Sequence, residues 1–452
     1  MKLKFYFIIF VSLFSLIFIV GWNIVDGNYD KQNKGILFLK KIIPTKISRK
    51  IRDTLFIIPD LKTLNKDLML QVKKYEQGYA GELFREEIII SEKKKNYNLK
   101  EFFLPFPRLD VRNGYYAEIM SKRAHYLEIV KDKVICISGE GETIFFYKNN
   151  IFDKKLKQQK ILNNIENIIK SFNAELVGIR DLFIDEEYVY ISMIHKDLNG
   201  YTINLYKANL NFESLNFEIF FKTNEYWPSY NVFSGGRISK FIENKILFSI
   251  GFSKNYKAPQ ELNSFLGKII SIEKNTKDYE LISIGHRNPQ GLFFFDERNL
   301  IINTEHGPKG GDEINFNFFK KGSIINFGWP NVSYGAAYPG EERLFNKNTF
   351  STTHKQLGFA EPFKYYELAI GISEVLFLKN KKFDKFNNLF VSSMRAGSIY
   401  AYEIDENLTS ILHEDRIYFG NNRLRDLDYD AENNVFFITF EMVPSVGILK
   451  LN

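Results

Sequence analysis

The chain is 452 residues long and holds one cysteine, Cys136, inside the apolar run Val134–Ile137. A lone thiol excludes a disulfide within the chain and any multi-cysteine zinc site. Its apolar neighbours mark it as a buried structural residue, and the lack of disulfides leaves export open. Charge of one sign is not gathered anywhere: 61 basic and 54 acidic residues give a net charge of +7, spread along the chain. Spread charge describes a solvated surface rather than a nucleic-acid groove, and no nucleic-acid motif is present. Helical signals are few past residue 22, where Lys155–Ser171 reads as a charged surface helix or a loop crossing between units. Long apolar runs are missing except at the start.

That one run follows Lys2 and Lys4 and extends from Phe5 to Trp22 without a charge. Crossing a bilayer takes about 17–25 apolar residues, so the run is just long enough. A cleaved signal wants small residues before its cut site, and Ile19-Val20-Gly21 offers one. Residues 1–22 are therefore expected to be an uncleaved membrane anchor, with secretion after signal cleavage as the alternative. Lys31, Lys34, Lys40 and Lys41 follow the run and weaken any orientation drawn from charge alone. Residues 23–109 mix lysine-rich stretches with short apolar pieces and carry no catalytic motif. They read as a membrane-proximal, mixed extension packing on the main domain.

What the chain has in quantity is β-forming and aromatic sequence: 44 Phe and 25 Tyr in a composition 45% hydrophobic and 25% charged. From about residue 110 to 452 a short β-rich run, a turn and often a second run recur. The instances begin at Lys133, Tyr188, Lys245, Asn299, Asn388 and Asn434. Short alternating runs between polar or glycine turns are strand and hairpin signals. A β-sandwich fits that periodicity alone, but six units at roughly 50-residue spacing favour an all-β, six-bladed propeller, whose ligands bind on the loop-built top face.

Three blocks are dense in chemistry: GHRNPQG (285–291), TEHGPKGGDEIN (304–315) and NFGWPN (326–331). Glycine permits close backbone approach and proline fixes turns, so such loops aim carbonyls and charged groups into one pocket. In this order the blocks resemble the glucose/sorbosone dehydrogenases, the PQQ-dependent soluble aldose dehydrogenases. The resemblance covers most of 110–452 and implies a six-bladed propeller carrying pyrroloquinoline quinone (PQQ) and calcium on its top face, oxidising an aldose or alcohol. It also implies an anchor in the inner membrane with the propeller in the periplasm.

By the same resemblance Arg287 and Asn288 contact the quinone, Arg287 stabilising developing negative charge with a permanently charged fork of donors. His306 matches another quinone-contacting position. Gly307 and Pro308 would offer backbone carbonyls to calcium, which accepts neutral oxygens, with Asp312 beside them. Arg423 and Arg425, in NRLRD (422–426), match the arginine pair for the quinone carboxylates. Arg395 stands where the family usually has lysine. Each also has a plain structural reading, as a salt-bridging arginine, a turn cap or a turn glycine.

One position departs from the pattern. The family's histidine base lies in H-x-G-G-R, and here the segment is Phe233-Ser234-Gly235-Gly236-Arg237. Phenylalanine accepts no proton at any pH. Phe252 follows Gly251 where the family often has an aspartate that orients the histidine. His286, His306 and Asp181 are the candidates for a replacement base. Two classes of function stay open: a quinoprotein with a rearranged base, and a non-catalytic propeller whose pocket, lined by Phe233 and Phe252, binds a carbohydrate or a protein.

Overall fold

Five of the six β-rich units become the second and third strands of one sheet of a propeller, and the unit beginning at Asn299 becomes a second strand alone. The computed structural model describes residues 80–106, 121–185, 187–229, 233–338, 353–378, 383 and 388–452. Blade 1 is built from His125–Val130, Lys133–Ser138, Thr143–Tyr147 and Gln159–Asn163, and blade 2 from Glu175–Asp185, Tyr188–Asp197, Gly200–Asn209 and Glu218–Lys222. Blade 3 comprises Gly235–Lys240, Lys245–Ile250, Lys268–Glu273 and Tyr279–Ile284, and blade 4 Pro289–Phe295, Leu300–Glu305, Asp312–Phe318 and Lys364–Tyr366. Blade 5 takes Ile372–Phe377, Leu389–Ser393, Ser398–Ile404 and Ile411–Tyr418. Blade 6 takes Leu424–Asp430, Val435–Phe440 and Ser445–Leu451. Within these blades successive strands pair antiparallel, and the first strand of each blade lies beside the first strand of the next, closing a ring.

Blade 6 is completed from the other end of the chain. Asn96–Phe103 pairs antiparallel with Ser445–Leu451, and Leu83–Ile90 pairs with Asn96–Phe103. Those two strands fall in the 23–109 stretch that the sequence reading set apart as an extension; they belong instead to the propeller sheet. The cause is edge pairing, because a three-stranded last blade would leave Ser445–Leu451 with a row of unpaired backbone groups. The expected anchor, 1–22, lies outside the described residues, and among the described residues no helix is long and apolar enough to cross a membrane. In Lys155–Ser171 the chain first forms the outer strand Gln159–Asn163, then the short helix α1, Ile165–Ser171, which buries Ile165 and Ile169.

Sheet faces pack on one another as six apolar layers, each between neighbouring blades. Cys136 sits fully buried in the layer between blades 6 and 1, as its apolar neighbours suggested. Toward the axis the packing changes character. The inner strands turn polar side chains inward, and these bond the backbone of the next blade. Asp181 accepts from Ile238 N–H at 2.6 Å, Asp426 from Leu127 N–H at 2.8 Å, and Asp428 from Ile129 N–H at 2.9 Å.

Arg237 is the hub of this axis. Its guanidinium donates to Asp426 at 2.6 Å, contacts Glu374, and lies 2.9 Å from Asp181 as an ion pair too bent for a straight hydrogen bond. One cation from blade 3 thus meets carboxylates from blades 2, 5 and 6. Burial works against Arg237's charge, but Asp181 and Asp426 hold it protonated. Burial pushes Asp181 up to about 7 despite Arg237 beside it. Replacing Arg237 by methionine leaves these carboxylates buried without a partner, and breaking such a pair costs about 3–5 kcal/mol. Chemical denaturation of Arg237→Met should show a loss of that order at neutral pH. The loss should shrink in acid, where the unpaired carboxyls take up protons.

Candidate functional site

Every site residue expected from the sequence lies at one end of the propeller, where the first strand of each blade begins and its second and third strands join. Phe233 precedes the first strand of blade 3, and Arg287 and Asn288 precede that of blade 4. His306, Gly307 and Pro308 form the turn before Asp312–Phe318, and Arg395 sits in the turn before Ser398–Ile404. Arg423 and Arg425 flank the start of Leu424–Asp430. Loops carried on a rigid ring are a usual place for binding groups.

Two carboxylates shape the loops. Glu305 receives Arg287 N–H, Asn288 N–H at 2.9 Å and the His286 ring Nδ1 at 3.1 Å. Asp312 receives Gly307 N–H at 3.1 Å, Ile370 N–H at 2.9 Å, Gly371 N–H at 2.7 Å and Ile372 N–H at 3.3 Å. Expected beside a calcium, Asp312 thus acts on the backbone, pinning the 307 turn to the start of blade 5. Gly311 has φ +69° and approaches Gly335 so closely that a Cβ would lie 2.1 Å from its nitrogen, so only glycine closes this loop. The Pro308 carbonyl accepts from Tyr338 Oη at 3.0 Å. Among the described residues no cluster of three or more acidic, histidine or cysteine groups is placed to hold a metal.

Arg287 is buried at 4% exposure, and among the described residues its one side-chain hydrogen bond goes from Nη1 to the His306 carbonyl at 2.9 Å. Its Nε is buried without an acceptor. Aromatic rings surround it, with the guanidinium carbon 4.5 Å from the Phe233 centroid, 5.3 Å from Trp329 and 5.7 Å from Phe252. Phe233 and Phe252 meet at 5.5 Å, as the sequence suggested. Trp329 joins them at 5.3 Å from Phe252, and Tyr256 at 5.1 Å. Burial pushes the Arg287 guanidinium down from its usual range, against the weaker pull of Asp312 and Glu305.

The second cationic group was only half legible. Arg423 donates to Glu441 at 2.8 Å and Arg425 to the same carboxylate at 2.5 Å. Arg123 donates to the Glu441 carbonyl at 3.2 Å. Burial alone would raise Glu441, yet Arg425, Arg423 and Arg123 bring it down to about 2. One anion faces three cations, leaving the group positive. Gln290 then links it to the Arg287 side of the site, accepting from Arg425 at 2.8 Å and donating to Asn288 at 3.1 Å. Glu441 and Gln290 were missed; an unassigned glutamine within GHRNPQG was the one signal for the second. The exposed Arg395 takes no part in this network beyond its backbone bond to Ile370.

The three candidate replacement bases are all engaged. Asp181 is held by Arg237 and Ile238. His286 is fully buried, with Nδ1 on Glu305 and Nε2 receiving Ser283 Oγ at 2.7 Å. His306 donates from Nε2 to the Ile372 carbonyl at 2.6 Å, so Nδ1 carries the lone pair and faces the Asn288 amide at 3.3 Å. Although partly exposed by area, its surroundings are dense, and burial lowers its pKa to about 4 against the pull of Asp312.

The loop end of the propeller thus gathers buried arginines against aromatic rings. The family model for glucose/sorbosone dehydrogenases matches residues 148–443, and the chain belongs to that family. It is 25% identical over 233 residues to the aldose sugar dehydrogenase YliI of Escherichia coli, covering 48% of this chain and 59% of that protein. It is 26% identical over 251 residues to quinoprotein glucose dehydrogenase B of Acinetobacter calcoaceticus, covering 41% of this chain and 51% of that one. The matches thus span between half and two thirds of these relatives' own length. The PQQ-bound aldose sugar dehydrogenase of Streptomyces coelicolor shares the fold, with a TM-score of 0.51 at 15% identity, covering 73% of this chain and 99% of that one.

The geometry at His306 has a direct readout. Nitrogen-15 NMR should find its ring neutral and protonated on Nε2 through pH 5, with a midpoint near 4. A midpoint at the ordinary histidine value of about 6.5 contradicts the arrangement.

Proposed function

We propose that the chain is a quinone-binding propeller of the sugar dehydrogenase type that has kept the cofactor side of its site and lost aldose oxidation. The observation that carries this reading is Arg287: a buried guanidinium with an unpartnered Nε, walled on the substrate side by Phe233. A buried cation without an anion is costly, and a bound anion relieves it. The positive group of Arg423, Arg425 and Arg123 around Glu441 makes the same demand.

A planar quinone bearing several carboxylates, as PQQ does, fits these groups. Arg287 and Asn288 would meet its polar edge, and Arg423, Arg425 and the exposed Arg395 its carboxylates. His306 would lie against it, and the Gly307 and Pro308 carbonyls would offer calcium two neutral oxygens. Bound there, the quinone supplies two-electron redox chemistry. What the chain itself lacks, among the described residues, is a group placed to take the hydroxyl proton of a sugar. Phe233 replaces it, and His286, His306 and Asp181 are committed elsewhere. Loss of a general base costs about 10²–10⁴ in rate. The substrate side then favours binding, since aromatic faces suit the CH groups of sugars. On this proposal the propeller works on the periplasmic side of the inner membrane, tethered by residues 1–22, a placement supported by the apolar run and the family.

The test is reconstitution with PQQ and calcium, followed by absorbance of the bound quinone and dye reduction with a panel of aldoses. Quinone uptake without dye reduction is expected. Sugar-dependent reduction by the unaltered protein overturns the loss of oxidation, and no uptake at large quinone excess overturns the cofactor. Phe233→His should gain aldose-dependent dye reduction by about 10²-fold or more.

A further inference from the structure

A second cleft lies away from the arginines, on the face of blade 2 turned toward blade 1. Register explains its composition. His195 pairs across the hairpin with Thr202, and Asn204 pairs on the other side with Lys222. Thr202 and Asn204 are two residues apart on one strand, so all four side chains share one face of the sheet. Further along that face the same strands carry Met193, Ile191 and Tyr206 into the apolar layer between blades 1 and 2. The layer therefore ends here in polar groups, closed over by Phe172 just past α1.

The cleft is about 100 Å³ and opens to solvent between Asp197, Asn224 and Tyr226. Its floor holds an unmet demand: His195 is 4% exposed, and its Nδ1 is buried with no hydrogen-bond partner. Buried polar atoms are nearly always satisfied, so an orphan lining a cleft points to an outside partner. Burial lowers the pKa of His195, so the ring is neutral, with one donor and one acceptor nitrogen. The His195 ring stacks on Phe172 at 5.5 Å and 16°. Lys222 and Asp197 carry one charge of each sign, so the cleft has no net charge to attract an anion. One oxygen of Asp197 caps its own turn at Asn199 N–H.

We propose that this cleft is a binding site for one neutral pyranose unit, such as the end of a glycan. Hydroxyl groups donate and accept at once, which suits a floor of imidazole, threonine and amide and a rim of carboxylate, amide and phenol. A dry cavity of about 150 Å³ encloses a benzene-sized ring, so a smaller open cleft takes a six-membered ring with one edge in water. Tyr226, exposed on the rim, offers an aromatic surface to the CH side of the sugar. This site stands apart from the arginine-lined centre and does not depend on quinone binding there.

Saturation-transfer NMR and calorimetry on the full chain, with the methyl glycosides of glucose, galactose and mannose and with glucuronate, test it. At least one neutral glycoside should bind, and the rim double variant Asp197→Ala/Asn224→Ala, at a half-buried and an exposed position, should weaken it by about tenfold or more. Arg423→Met, at the other site, should leave that affinity unchanged. His195→Phe, which fills the floor, should abolish binding while the variant's thermal unfolding shows it folded. If His195→Phe fails to fold, the rim variant alone decides. No binding by any neutral glycoside overturns the proposal. So does binding that the rim variant leaves intact, binding that Arg423→Met removes, or a preference for glucuronate.

Discussion

The structure depends on a single buried cation at the axis of the ring. Arg237 reaches carboxylates of blades 2, 5 and 6 from blade 3, so it ties together sheets far apart in sequence. Ion pairs of this kind rarely add net stability over apolar packing. Their effect is to make one arrangement far better than its neighbours. In a ring of sheets packed through apolar faces, directional contacts such as these fix where each blade sits about the axis. With Arg237 in place, a shift of blade 2, 5 or 6 leaves a carboxylate stranded. Asp181 and Asp426 extend the same control to the backbone through Ile238 and Leu127.

That constraint recasts the Phe-Ser-Gly-Gly-Arg segment. Met as sequence, it looks like a catalytic motif with its first residue lost. In the fold its last residue is the axial hub, and Gly236, at φ +114°, passes so close to blade 2 that a Cβ would sit 2.4 Å from the Arg180 Cβ. The glycine and the arginine answer to the geometry of the ring, whatever the first residue does. Their presence therefore supports the architecture and says little about chemistry. Phe233 lies outside that axial contact, packed instead on Phe252 and under the Arg287 guanidinium.

How much of this the sequence disclosed follows from what each strand faces. The six units found by pattern are the second strands of the six blades, in five of them with the third, buried between neighbours and hence rich in β-branched and aromatic residues. First strands were harder to see, because they turn Asp181, Arg237, Glu374 and Asp426 toward the axis and break the apolar run. Outer strands such as Leu83–Ile90 are half solvated, and that one was read as part of an extension. It pairs with the far end of the chain, which no local pattern reports. The site was legible where a short motif carries its residues, as with Arg287 and Phe233, which the fold brings into contact. It was not legible where a role arises from convergence: Glu441 gathers Arg423 and Arg425 from the neighbouring strand and Arg123 from far along the chain, and Asp312 serves four backbone amides.

The two halves of the site also explain each other. An arginine beside a solvated histidine base shares its surroundings with water and with a titrating neighbour. Put Phe233, Phe252 and Trp329 around the same guanidinium, and water is displaced on the substrate side while the aromatic faces offer modest compensation, about 0.5–2 kcal/mol each. That is less than a carboxylate or phosphate returns to a desolvated guanidinium. The aromatic wall therefore sharpens the demand of Arg287 for an anion as it removes the means of taking a proton. On the proposed reading, the absence of a base and the demand for an anion both follow from this aromatic lining, which favours holding a ligand on this face over transforming one.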